Sequence, residues 1–224
     1  MSKSNTLETG WLNLLFVNTN LANIGDATGL RASTTAGSLF ISLHTADPAE
    51  GGAGAECAYT GYGRVGKTRS GTDFTVSGDA VTMVSAATFG ACTAGAETAI
   101  YAGIWTALTG GTLLMSGPLG SVLGLATATV ADTFTIPGLT GLAVNDRIAF
   151  NAVPWAALPV GMTEGVAYFV KTLSGNDITI STTSGGATLD ITTAGAAIAF
   201  KVTPIVIGPG VTPQIPAGVI FRED

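Results

Sequence analysis

The chain has 224 residues, of which nine are Lys or Arg and fifteen are Asp or Glu, so its formal net charge is −6. Hydrophobic residues make up 46% and charged residues 11%, whereas soluble proteins usually carry about 25% charged residues. This acidic balance argues against nucleic-acid binding, which needs dense cationic surface. The length suffices for one large or two small domains.

The sequence also argues against a membrane span and a secretory signal. Its apolar stretches are interrupted by Gly, Pro or polar residues before the roughly 18–20 residues that a span requires. The N-terminal segment MSKSNTLETG lacks an apolar region after Lys3. Cys57 and Cys92 are far apart in sequence, and we expect them to be small buried hydrophobes, with a disulfide or redox role as the alternative.

The first predicted element is an amphipathic helix over residues 5–19. Asn5 and Glu8 resemble a capping box. The apolar residues at helical spacing are Leu7, Trp11, Leu14 and Leu15. The rest of the chain is rich in Gly, Thr and Ser and favours sheets and turns over further helices.

Short β-strands are predicted from residue 38 onward, because β-branched and aromatic residues alternate with small polar ones between turn signals. The first set lies at 38–48, 58–69, 73–76, 80–84, 98–106 and 112–116. The second set lies at 132–136, 147–151, 166–173, 177–181, 187–192 and 197–202. Turns every 8–12 residues are typical of sandwiches and barrels. The proline-rich end predicts an extended tail with short strands at 204–207 and 219–221, which pairs at a sheet edge or reaches a neighbouring subunit.

The segment from Gly61 to Thr68 matches the letters of two nucleotide-binding motifs, G-x-x-x-x-G-K-[ST] and G-x-G-x-x-G. Both motifs work only when a strand precedes them and a helix follows, so that backbone N–H groups face the phosphates. Here the following residues, RSGTDFTVSGD, have no helical period. A glycine-rich turn or strand is therefore the better interpretation.

The remaining candidate residues give no pattern of a catalytic or metal site. His44 lies near Ser42 and Asp47, but no G-x-S-x-G elbow is present, so a structural, hydrogen-bonded histidine is favoured. Five acidic residues could in principle form a glycosidase pair, but each lies at or near a turn: Asp132, Asp146, Glu164, Asp177 and Asp190. One histidine and two distant cysteines cannot form a zinc site. We predict no catalytic, cofactor-binding or metal residue.

Seven aromatic residues could line a carbohydrate or receptor platform, but they are spread too widely to mark one, so core packing is their favoured role. These are Trp11, Trp105, Trp155, Tyr59, Tyr62, Tyr101 and Tyr168.

Several segments together resemble a family of small virion proteins of tailed bacteriophages, including tail-fibre and other structural proteins. They are the N-terminal helix, SLFISLHTADP, CAYTGYGRVGKTRS, IYAGIWTALTGGTLLMSGPL and GVTPQIPAGVIF. The resemblance covers roughly residues 5–121 and 203–221, and it implies no catalytic residues. The intervening region looks like an insertion.

The resemblance therefore implies a mainly β protein in two parts. Residues 1–122 and 203–224 would form a β-sandwich or barrel-like parent domain with the N-terminal helix. Residues 123–202 would form a small inserted all-β domain that projects outward.

The expected function is that of a structural, non-enzymatic virion component assembled in the host cytoplasm. The first hypothesis is a surface-exposed decoration protein on the head, bound to the major capsid protein as a homo-oligomer, with a trimer as the first choice. The alternative is a tail fibre, adaptor or baseplate component that binds tail proteins or a host receptor. A virion-borne glycan hydrolase is a third, less favoured hypothesis.

Overall fold

The computed structural model describes residues 3–25, 29–52 and 54–222. Within them the fold is mainly β, as predicted, with one helix, α1, at Asn5–Phe16. The strands before residue 120 are β1 Ser38–His44, β2 Val65–Thr68, β3 Phe74–Ser77, β4 Ala80–Met83, β5 Ala87–Thr88, β6 Glu97–Ala99, β7 Tyr101–Trp105 and β8 Leu113–Pro118. The later strands are β9 Gly120–Ala128, β10 Phe134–Thr135, β11 Arg147–Ala152, β12 Ala167–Ser174, β13 Asp177–Ser181, β14 Gly195–Val202, β15 Ile205–Ile207, β16 Gln214–Ile215 and β17 Gly218–Arg222.

Helix α1 begins at residue 5, as predicted, but its N-cap lies one residue before the predicted cap, and it ends three residues before the predicted end. Ser4, in an extended conformation, is the N-cap residue, and its hydroxyl accepts a hydrogen bond from the Leu7 N–H at 3.3 Å. Glu8 lies in the first turn, where its charge favours the positive end of the helix dipole. Leu12 and Phe16 are fully buried and anchor the helix on the sheets.

The described residues outside 120–202, called here the parent region, form two larger sheets around one core. The four-stranded sheet has the order β2-β1-β7-β8, and the three-stranded sheet has the order β17-β4-β3. Two short pairs, β15 with β6 and β16 with β5, complete the region. The shared core includes Leu12, Leu43, Phe74, Val81 and Phe89.

Strands β9 to β14 close into a six-stranded antiparallel barrel with the order β10-β13-β12-β11-β14-β9. Its longest contact is the ladder between β9 and β14, which runs from Gly120 opposite Val202 to Ala128 opposite Gly195. The barrel has a separate core that contains Phe134, Ile148 and Phe150.

The chain leaves and re-enters the parent region at adjacent points, because the Thr203 N–H donates to the Leu119 carbonyl at 2.6 Å. A third, small cluster joins the two parts there. It packs Ile100 and Tyr101 of the parent region against Ala149, Ala167 and Val202 of the barrel. The barrel therefore rests with its outer wall on β7 and its preceding residue.

The strand predictions differ from the structure at several places. Residues 187–192 form no strand, although the Leu189 N–H bonds to the Ile180 carbonyl. The predicted strand over 58–69 begins only at Val65, after a turn at Gly61. The longest strand, β9, was not predicted because its small residues, GSVLGLATA, have weak β propensity.

Candidate functional site

SLHTADP and TGYGRV, two of the segments that carry the resemblance, meet around a buried polar cluster on the four-stranded sheet. Ser42 and His44 point to the same face of β1, as strand alternation predicts, and both are fully buried. The Ser42 Oγ lies 2.7 Å from the His44 Nε2 and accepts a hydrogen bond from the Trp105 Nε1 at 2.8 Å. A serine and a histidine are thus in direct contact.

The surroundings of this pair assign the histidine a structural role. The His44 Nδ1 lies 3.0 Å from the Gly54 carbonyl, which can only accept, so Nδ1 carries the proton and Nε2 accepts from Ser42. Burial lowers the pKa of His44, although the Gly54 carbonyl and the Glu56 charge act in the opposite direction. Asp47, the third member of an imagined triad, instead accepts from the Ala49 N–H. The pair is sealed from solvent and no carboxylate orients the imidazole, unlike in a hydrolase triad.

A second set of polar residues covers the cluster from the outside. Arg64 forms two 2.8 Å hydrogen bonds to the two carboxylate oxygens of Glu56, and its guanidinium carbon lies 3.7 Å above the Trp105 ring. Arg64 also donates to the carbonyls of Ala107 and Gly110. This arrangement fixes the loop between β7 and β8 to the segment before β2. We call these six residues the motif network: Ser42, His44, Glu56, Tyr62, Arg64 and Trp105.

Tyr62 connects the two halves of the motif network. Its hydroxyl donates to Glu56 at 2.8 Å and accepts from the Leu43 N–H of β1 at 3.1 Å. Burial by itself raises the pKa of Glu56, but the hydrogen bonds from Arg64 and Tyr62 outweigh it, and the net shift is downward. Burial also raises the pKa of Tyr62. The network thus consists of an ionised carboxylate with fixed donors and serves to hold loops together.

The segment that spells a nucleotide-binding loop has a different geometry. Gly66, Lys67 and Thr68 lie in β2, and a turn at 69–73 leads into β3, where a phosphate-binding loop would continue into a helix. The Lys67 side chain is turned inward and donates to the Ser85 carbonyl and hydroxyl and to the Ala86 carbonyl. Its ammonium group therefore ties β2 to the segment between β4 and β5.

The acidic residues of the second half of the chain are dispersed and act mainly as local acceptors. Asp132 accepts from the Ile191 N–H, Glu164 from the Ala152 N–H and Asp177 from the Thr135 hydroxyl. Asp146 pairs with Lys201 at 2.7 Å, and although burial alone raises its pKa, this contact lowers it overall. Among the residues that the structure describes, no three His, Cys, Asp or Glu side chains are grouped as a metal site.

Cys57 and Cys92 are buried free thiols, in line with the sequence prediction. Burial raises the pKa of Cys57 to about 12, so this thiol stays protonated and unreactive at neutral pH. Over the described ranges, no helix is both long enough and apolar enough to cross a membrane.

The prediction that the tryptophans pack in the core is wrong for two of the three. Trp105 is buried, but Trp11 on α1 is 42% exposed and Trp155 on the barrel is 74% exposed. Trp155 lies in the loop after β11, and that loop also exposes Val160. The Val160 N–H bonds to the Thr193 hydroxyl, so this loop and the loop before β14 are tied together at one end of the barrel.

The sequence interpretation missed the Glu56–Arg64 pair. The available signal was the rarity of charge: in a chain with 11% charged residues, an arginine between Gly63 and Val65 in an apolar, glycine-rich stretch needs a partner. Its partner could not be read from spacing, because both residues lie in irregular segments.

A family model described as podophage GP4 fiber I protein gp80 matches residues 2–141, more than half of the chain. The chain belongs to this family. It is therefore a structural virion component of a tailed phage of fibre type, which confirms the predicted class. No curated protein matches it.

The matched range of this phage fibre family includes α1, the whole motif network and the first two barrel strands. It extends beyond residue 121, where the resemblance was expected to pause, and it does not include residues 203–221. The family description supports a structural role, in which the polar residues of the motif network hold loops in place.

Proposed function

We propose that this chain is a non-catalytic fibre subunit that attaches to the phage tail through its parent region and presents its barrel outward. The observation that carries the proposal is the match to a phage fiber family across α1 and the motif network. This description favours the tail-side alternative over head decoration, which was the first hypothesis from the sequence. The subunit acts by binding and positioning, without a chemical step.

The placement of polar and apolar side chains supports a binding role. The groups of the parent region that resemble catalytic or phosphate-binding residues, namely Ser42, His44 and Lys67, contact each other or backbone carbonyls. By contrast, exposed Trp155 and Val160 lie on loops of the barrel. Exposed aromatic residues are frequent in binding surfaces because they bury a large area at low entropic cost.

A symmetric homo-oligomer is part of this proposal, with a trimer as the first choice. Closed point-group symmetry is the rule for soluble oligomers. A chain with so few charges also exposes large apolar side chains on α1, β8 and β9, including Leu7, Leu114 and Val122. Light scattering coupled to gel filtration of the full chain measures the state directly, and a monomer across the micromolar range would contradict this part.

The main experiment is to delete the gene and examine the resulting particles. We expect particles with unchanged heat and osmotic resistance of the head but at least a tenfold lower rate of adsorption to host cells. Quantitative mass spectrometry of wild-type virions should find a few to a few dozen copies. Hundreds of copies, together with DNA loss on heating of the deletion particles, would identify a head-decoration protein instead.

A further inference from the structure

The two sheets of the parent region are joined on one side and separated on the other. On the joined side, a turn connects the edge strands β2 and β3: the Thr68 N–H donates to Asp73 within this turn, and Arg69 donates to the Leu14 and Leu15 carbonyls of α1. The opposite edges are β8 and β17. In the described part of the chain, no further strand pairs with the outer edge of either one.

Between these two open edges lies a cleft of about 600 Å³. Ser116 and Gly117 of β8 line one wall, while Gly218 and Ile220 of β17 and Gln214 of β16 line the other. Its floor reaches residues of the hydrophobic core, among which Ile41, Met83 and Ile104 are less than one-tenth exposed. The cleft is thus an opening into the core, unlike a shallow surface groove.

The backbone of β8 presents hydrogen-bonding groups to this cleft. The Leu119 N–H bonds to the Ile100 carbonyl, and in an antiparallel pair such bonds recur at every second residue. Gly117 and Met115 therefore pair with β7, and the N–H and C=O of Ser116 between them point away from it. Unpaired edge groups of this kind accept an added strand in β-augmentation.

The lining also restricts the chemistry of the occupant. All of the residues that line the cleft are uncharged, so a charged side chain inserted there would be desolvated without a partner. Each strand of the described parent region is already paired, so a folded second copy would bring a whole sheet to the edge of β8, whereas the cleft is bounded on its other side by β17. The complementary occupant is an extended, uncharged segment of another protein with aliphatic side chains at alternating positions.

We infer that the cleft between β8 and β17 receives a β-strand from a different virion protein, and that this strand anchors the subunit. The added strand pairs with the free edge of β8 and places alternate aliphatic side chains on Ile41, Met83 and Ile104. This inference rests on the chain being a virion component. It does not depend on whether the particle carries it on the tail or the head.

The test is site-specific photocrosslinking in assembled virions. A photoreactive phenylalanine analogue replaces Gln214 in the cleft or, as a control, Leu108, which is 53% exposed in the loop between β7 and β8. We expect one adduct from position 214, with a peptide of alternating aliphatic and uncharged residues from another virion protein, and at least tenfold less from position 108. An adduct with a second copy of the chain, equal adducts at both positions or no adduct would overturn the inference.

A matched pair of variants tests the charge requirement. A Cβ at Gly117 would meet no atom within 4 Å, so Gly117→Asn and Gly117→Asp should both fold, which is checked by thermal unfolding of the isolated proteins. The side chains have the same size and differ in charge. We expect the Gly117→Asp variant to give at least tenfold less adduct at position 214 than Gly117→Asn. Equal yields would contradict the uncharged character of the occupant, whereas absence of the wild-type protein from purified particles at normal expression would contradict the virion role itself.

Discussion

The barrel and the parent region deal with strand edges in opposite ways. Each of the six barrel strands pairs with two neighbours, so the barrel presents no edge, and its core is enclosed. The parent region has open sheets, and it stabilises them with side chains: Arg64, Lys67 and Arg69 all donate to carbonyl groups of loops or of α1. A closed module suits exposure to solvent, while an open one retains a surface for assembly.

Removing the barrel should have the largest effect on the total unfolding enthalpy of the protein. Because Leu119 and Thr203 are hydrogen-bonded neighbours, a two-glycine linker can replace Gly120–Val202 without moving the parent strands. We expect the shortened protein to keep a cooperative thermal transition and the near-UV signal of Trp105. Its unfolding enthalpy should fall by the part that the barrel contributes. Calorimetry of both proteins measures this. An unfolded product would show that the proposed parent domain depends on its insertion.

Core truncation compares the two parts directly. Phe74 in the parent core and Phe150 in the barrel core are both fully buried, and a Phe→Ala change in a core costs about 3–5 kcal/mol. We expect Phe150→Ala to lower the unfolding free energy of the barrel and Phe74→Ala that of the parent region. Hydrogen exchange measured segment by segment reports the unfolding free energy of each region separately. If either variant loosened both regions equally, the two cores would form one cooperative unit.

The ion pairs of the two regions should differ in strength. Arg64 is 6% exposed beside Glu56, whereas Lys201 and Asp146 in the barrel are 31% and 28% exposed. Arg64→Ala removes the hydrogen bonds to Glu56, those to the Ala107 and Gly110 carbonyls and the contact with the Trp105 ring, so we expect it to cost about 2–3 kcal/mol. Lys201→Ala should cost about 1 kcal/mol or less. Urea unfolding measures both, and equal costs would mean that the motif network contributes no more than a surface pair.

As the pH falls, the parent region should lose stability at a higher pH than the barrel. The pKa of His44 is lowered from its usual value of 6.5, so the unfolded chain binds a proton at higher pH than the folded one. Stability is therefore complete above 6.5 and falls as the pH decreases below it. The pKa values of Glu56 and Asp146 are also lowered from their usual values of 4.5 and 3.8. Protonation of Glu56 therefore removes further stability from the parent region below about pH 4.5, whereas the barrel loses the contribution of Asp146 only below about pH 3.8.

Thermal unfolding between pH 7 and 5 checks this order. We expect His44→Gln, which keeps a donor for Gly54 and an acceptor for Ser42, to be less pH-dependent over that range than the wild type. An unchanged slope in the variant would assign the acid sensitivity to other groups.

Local patterns predicted the strand-rich class and most individual strands, but not the contacts between distant segments. The run DITIS is correctly predicted as a strand, while the similar run ATLDIT is a loop, held by Asp132 on the Ile191 N–H. That bond crosses 59 positions of sequence, and no local pattern encodes it. The Glu56–Arg64 pair escaped prediction because irregular segments have no periodicity from which a shared face can be inferred.

Substitution of Trp155 should change the stability least. It therefore tests a role in binding with little effect on folding. Its side chain is 74% exposed, so Trp155→Ala should alter the unfolding free energy by about 0.5 kcal/mol or less. If the barrel end contacts the host, the same change should slow adsorption of the virions several-fold, and Val144→Ala, an exposed position on another barrel loop, should not. An adsorption rate equal to that of the wild type would mean that this end of the barrel does not contact the host. A host-binding surface of the barrel would then have to lie on the outer faces of its strands.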